Sequence, residues 1–70
     1  MLSVGDKVQV KRTLEEGKEY GQVLFNKPMK EYKGKIDTVV KKINRTDGVT
    51  AYKLETSIWA WSEEMLIKGE

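Results

Sequence analysis

Three groups of side chains in this sequence have types and spacings that could do chemistry. Glu15, Glu16 and Glu19 lie close together, and Glu63 with Glu64 forms a second acidic pair. Paired carboxylates serve glycoside hydrolysis and divalent-cation binding, but both uses need a cleft and an ordered donor set, and no calcium-loop spacing surrounds these five. A basic run comes next: Lys27, Lys30, Lys33, Lys35, Lys41, Lys42 and Arg45, opposed in the same stretch only by Glu31 and Asp37. Gathered on one face, these cations could contact several phosphates. The third group is aromatic: Tyr20, Tyr32, Trp59 and Trp61, with Phe25 between them in sequence. Exposed aromatic planes bind extended peptides or cationic groups through a large contact area at low entropic cost.

Other chemistry is excluded by composition. The chain has 70 residues and neither Cys nor His, so it cannot build a zinc finger, a thiol redox pair, a catalytic triad or an imidazole base. So short a chain also offers little wall for a substrate pocket. A non-catalytic protein that needs no cofactor and no metal is expected.

The elements that must position these residues lean to β. Seven Val, four Ile, five Thr and six aromatics stand against only two Ala, a composition suited to pleated, half-buried surfaces. From Asp6 to Arg12, Val8 and Val10 alternate with Lys7, Gln9 and Lys11, the period of a strand with one face on a core. Thr13 to Asn26 reads as a long loop. Thr13-Leu14-Glu15-Glu16 has capping-box spacing for one helical turn, while Gly17 and Gly21 prevent a longer helix. Tyr20, Val23, Leu24 and Phe25 are too apolar to float in solvent, so this loop should fold back over an open end of the core. Pro28 suits the start of a short helix with Met29 and Tyr32 on one side and Gly34 as its stop.

A second strand is expected from Lys35 to Ile43, with a conflict of phase. Ile36, Thr38 and Val40 share one face, whereas Val39 and Ile43 share the other with Asp37 and Lys41; a bulge near Val39-Val40 reconciles them. Asn44 to Gly48 is a hairpin connection through its Asp-Gly pair, and Val49 to Glu55 returns with Thr50, Tyr52 and Leu54 inward. Ile58 to Trp61 reads as a fourth strand whose two tryptophans point the same way if it is regular. Ser62 is placed to N-cap one turn through Glu63, Glu64 and Met65. Leu66-Ile67-Lys68 closes the sheet. The order predicts a single all-β domain over residues 1–70, a five-stranded SH3-like barrel with one or two short helical turns, with an OB-fold as the nearest competitor.

Gly5-Asp6-Lys7-Val8-Gln9-Val10, Tyr20, Met29-Lys30-Glu31-Tyr32-Lys33-Gly34-Lys35, Tyr52-Lys53-Leu54 and Trp61-Ser62-Glu63-Glu64-Met65-Leu66 together resemble a group of small uncharacterised SH3-like barrel proteins of Gram-positive bacteria and their phages and prophages. The resemblance runs through nearly the whole chain. It implies an SH3-like barrel and transfers no catalytic residue.

Packing competes with ligand contact at every aromatic and Met position, because a domain this small buries only about 60% of its unfolded surface. It cannot readily bury both indoles with their N–H groups satisfied, so one is expected to stay partly exposed. Protein–protein interaction through Tyr20, Tyr32, Trp59 and Trp61 is therefore the favoured expectation. The alternative is nucleic-acid binding through Lys27, Lys30, Lys33, Lys35, Lys41, Lys42 and Arg45. Residues 1–26 hold four basic and four acidic side chains, 27–45 seven and two, and 46–70 two and five, for nets of 0, +5 and −3. Arginine is scarce, and a lysine-rich face also serves to keep strand edges apart in solvent. The longest uncharged windows, Gly21 to Asn26 and Thr56 to Ser62, fall far short of the roughly 20 apolar residues of a membrane span. With no signal-peptide pattern and no cysteine, a cytoplasmic monomer or weak homo-oligomer is expected.

Overall fold

The computed structural model describes residues 2–69. Its elements in chain order are β1 (Lys7–Val10), β2 (Glu19–Tyr20), β3 (Val23–Leu24), the 3-10 helix η1 (Lys27–Tyr32), β4 (Ile36–Asn44), β5 (Thr50–Leu54), β6 (Ala60–Ser62), the 3-10 turn η2 (Glu63–Met65) and β7 (Leu66–Lys68). The alternation in β1 does what its period requires: Val8 and Val10 are buried and Lys7 is exposed. Antiparallel pairings order the main sheet β6-β5-β4-β1-β7, while β2 and β3 form a separate two-stranded hairpin. Among the described residues no pairing links β6 to β7. The domain is thus all-β, a small compact sheet structure.

The phase conflict in β4 is resolved by a bulge. Val39 pairs with Leu54 and Lys41 with Lys53, leaving Val40 as the extra residue between them. Before the bulge, Asp37 and Val39 face the interior, and Ile36 and Val40 are exposed. At the far end of β4 the Arg45 N–H donates to the Val49 carbonyl at 2.8 Å and closes the expected hairpin.

The segment between β1 and β4 differs from expectation in one respect. No helical turn forms at Thr13 to Glu16. Leu14 instead inserts into the core, and the chain runs into the β2–β3 hairpin. Both residues of its tight turn, Gly21 (φ +57) and Gln22 (φ +66), are left-handed, the backbone of a type I′ turn. The ladder continues beyond the strands, with the Gly17 N–H donating to Phe25 O and the Phe25 N–H to Lys18 O. Phe25 thereby reaches the core, so the segment does fold back over it. η1 follows with Pro28 in its first turn and Met29 buried, and the Gly34 N–H then donates to Val10 O at 2.8 Å.

Two further readings are corrected near the C-terminal end. The fourth strand begins at Ala60, not Ile58, and Ile58 is 78% exposed. Trp59 therefore precedes the strand and is only partly buried against the core, whereas Trp61 is fully buried. Ser62 sits at the N-cap of η2, but its hydroxyl makes no capping hydrogen bond. The core gathers Leu2, Val8, Val10, Leu14, Phe25, Met29, Val39, Tyr52, Leu54, Trp61, Met65 and Leu66.

Candidate binding surfaces

The four aromatic residues singled out in the sequence are not assembled into one surface. Trp61 is fully buried, because β6 pairs it with inward-facing Tyr52. Its indole Nε1 donates to Ser57 Oγ at 3.1 Å, so this N–H is satisfied inside the core. Trp61 cannot be a docking residue in this fold. Tyr32 packs edge-on against it, with ring centroids 5.8 Å apart, and Phe25 lies tilted on it at 6.4 Å. The face of Tyr32 is covered by the Lys35 ammonium, 5.0 Å from the ring centroid. Trp59 is half-buried against the core, and its backbone N–H donates to the same Ser57 Oγ. Tyr20 is half-buried at the end of β2, where its hydroxyl accepts from the Glu15 N–H at 2.9 Å. Neither Tyr20 nor Trp59 joins the Trp61 ring cluster.

The basic run is divided in two. β4 has nine residues, and at about 3.3 Å each it is about 30 Å long, while the longest axis of the molecule measures 29 Å. Lys27, Lys30, Lys33 and Lys35 lie before its start; Lys41 and Lys42 lie past its bulge, and Arg45 follows its last residue. Arg45 pairs with Asp47 at 3.0 Å within the hairpin. The first group gains a cation that sequence order assigns elsewhere. Arg12 lies across Gly34, so close that a Cβ on Gly34 would meet Arg12 Nε at 2.6 Å.

Two of the three loop carboxylates are engaged by lysines. Glu15 pairs with Lys18 at 2.6 Å and Glu16 with Lys30 at 3.5 Å. The hydrogen bond from Lys18, then its charge, holds the Glu15 carboxyl below the usual carboxylate range.

Glu63 and Glu64 take part in a different arrangement. The β2–β3 turn, the start of β5 and the β6–η2 junction converge on a cleft of ≈ 220 Å³ lined by Gly21, Gln22, Val49, Thr50, Ser62, Glu63 and Glu64. Ser62 Oγ is buried in its wall and has no hydrogen-bond partner among the described residues. The turn approaches closely: a Cβ on Gly21 would lie 3.0 Å from Glu64 Oε2 and 3.2 Å from Ser62 Cβ. Glu63 also accepts from the Tyr52 hydroxyl at 3.4 Å. Two carboxylates in its lining make the cleft a place for a donor-rich, cationic group. Reading by residue type found Glu63 and Glu64 but not the cleft, since nothing local to Gly21-Gln22 announces that this turn lands beside Ser62.

Comparison of the chain with family models, with curated proteins and with solved structures returns no match. Among the described residues no helix is long and apolar enough to cross a membrane.

Proposed function

We propose that the chain is an SH3-like barrel acting as a non-catalytic module that binds an extended, basic segment of a protein partner at the Gly21–Ser62–Glu64 cleft. The strand order, the long folded connection after β1 and the single 3-10 turn before β7 support the barrel reading. The observation that carries the binding reading is the cleft itself, which sets Glu63 and Glu64 beside the Gly21-Gln22 turn. The carboxylates favour a Lys or Arg side chain, and the backbone of the Gly21-Gln22 turn is open beside them to an extended chain. Of the four aromatic residues, Tyr20 keeps a place in the reading, being the immediate neighbour of the turn.

Selection of random displayed peptides on the immobilised protein, followed by titration into isotope-labelled protein, tests this. Enriched peptides should carry Lys or Arg, move the amide resonances of Gly21, Gln22, Thr50 and Glu64, and lose binding on Glu64→Lys. Ligands that bind the Glu64→Lys variant as tightly as the parent place the site elsewhere and sink the reading.

A further inference from the structure

η1 carries a second feature, on residues that the cleft does not use. A 3-10 helix has three residues per turn, so side chains three apart stack in rows. One row is Met29 and Tyr32, turned to the core. Another is Lys27, Lys30 and Lys33, the last still tied in by its N–H to Lys30 O at 3.3 Å. With a rise of about 2 Å per residue, successive lysines in such a row stand about 6 Å apart along the axis. This is close to the separation of neighbouring phosphates on a single nucleic-acid strand. An open groove of ≈ 490 Å³ runs beside the row, lined by Lys27, Pro28, Lys30 and Glu31. Arg12 and Lys35 continue the positive charge past Gly34, where the β1 and β4 backbones meet.

We infer that the row Lys27–Lys30–Lys33, extended by Arg12 and Lys35, is a binding surface for the phosphodiester backbone of a single-stranded nucleic acid. Lys27 and Lys30 stand one turn apart on one side of a short helix and Lys33 caps its end, so the row follows one strand rather than bridging the two backbones of a duplex groove. It carries no feature that reads bases, so the binding is independent of sequence. The opposing charges that face it are named by the geometry. Glu16 sits 3.5 Å from Lys30, Glu15 is held chiefly by Lys18 but also feels Lys33, and Glu31 lines the groove. Lys33 reaches over the Phe25 ring, 5.7 Å from its centroid, which keeps its ammonium at the end of the row. The five cations outnumber these three carboxylates, and the Glu16 contact acts as a gate on Lys30.

Fluorescence anisotropy of a labelled oligothymidylate, titrated with the protein over a range of salt, tests the assignment. Three phosphate contacts by the row alone predict a slope of log affinity against log salt of about −2, and five, with Arg12 and Lys35 engaged, about −3.5, from roughly −0.7 per contact on a single strand. Lys30→Gln should reduce the magnitude of the slope by about 0.7 and weaken binding about fivefold at 0.1 M salt. Glu16→Gln should strengthen binding, because it releases Lys30. Lys41→Gln, past the β4 bulge, should change neither quantity. The inference is overturned by absence of binding at low salt, by an equal loss on Lys41→Gln, or by equal affinity for polyglutamate or anionic lipid vesicles. All the substituted residues are on the surface, and the shielded fluorescence of Trp61 reports that each variant is folded. Failure here leaves the cleft reading standing, since the two surfaces share no residue.

Discussion

Asp37 and Thr56, nineteen residues apart, are tied together twice: one carboxylate oxygen of Asp37 accepts from both the backbone N–H and the hydroxyl of Thr56. The other oxygen accepts from the Thr38 N–H at 2.8 Å. The pairing fixes the turn after β5 to the body of β4, and with it Ser57, which holds Trp61. Burial of Asp37 pushes its carboxyl up, but the bonds from Thr56, Thr38 and Glu55 outweigh it and hold it below its ordinary value of 3.8. A folded pKa below the unfolded one means a contribution that is complete above about pH 4 and is lost as pH falls through the folded value. Asp37→Ala should cost about 2–3 kcal/mol, as expected for hydrogen bonds to a charged group. In urea titrations Asp37→Asn should flatten the acid limb of stability against pH; an acid limb identical to the parent's would show that Asp37 does not drive it.

Tyr52 supplies the opposite limb. Its hydroxyl accepts from the Leu2 N–H and donates to Glu63, both at 3.4 Å. Burial raises its pKa above 10.0, and although the Leu2 bond works against this, the neighbouring Glu63 charge adds to the rise. A raised folded pKa gives stability that is present below pH 10 and is lost as pH climbs through the folded value. Tyr52→Phe should cost about 1 kcal/mol near neutrality, since both bonds are long. Its stability should also fall less between pH 9 and 11 than the parent's, as read by thermal melts across that range.

The sequence displays the parts of this fold that rest on local pattern. Val8 and Val10 declare their strand by period alone, and the conflict of phase between Ile36, Thr38 and Val40 on one side and Val39 and Ile43 on the other locates the bulge. Pro28, Met29 and Tyr32 likewise place η1. The parts that stay hidden depend on where chain segments land. The β2–β3 strands have two residues each, too few to show a period, and Gly21-Gln22 lacks the Asn-Gly or Asp-Gly signature of its turn type. Thr13 to Glu16 has the letters of a cap without a helix because burying Leu14 wins over local propensity. The division of the lysines and the arrival of Arg12 at Gly34 both follow from strand pairing. The carboxylates, lysines and aromatics are thus visible in the sequence as residue types, whereas their grouping into a cleft and a row is visible only in the fold.

Gly21 is where the cleft depends most on a missing side chain. Alanine there must hold a left-handed backbone, at a cost of about 1–2 kcal/mol, and must also push Ser62 or Glu64 aside. Gly48 provides the control: its φ is +86, yet nothing lies within 4 Å of where a Cβ would be. Gly48→Ala should therefore cost only the backbone term. Chemical denaturation should rank Gly21→Ala as the more damaging of the two, and amide resonances of Ser62 and Glu64 should move only in the Gly21 variant. Equal costs for the two substitutions would mean that the turn is not packed against η2.

Ser57 decides the fate of both tryptophans. Its Oγ receives the Trp61 indole N–H at 3.1 Å and the Trp59 backbone N–H at 3.0 Å, so one small side chain answers two donors. Ser57→Ala leaves the Trp61 N–H buried without a partner, at a cost of about 1–3 kcal/mol. Trp61→Ala removes the largest side chain of the core, and a loss of about 3–5 kcal/mol leaves a domain this small with little residual stability. Trp59→Phe should be mild, because its ring is only half-buried. Acrylamide quenching separates the two indoles: parent protein should give a shielded and an accessible fraction, and Trp59→Phe should retain only the shielded one. A single accessible population in Trp59→Phe, with the fold intact by circular dichroism, would return Trp61 to the surface and undo its place at the centre of the core.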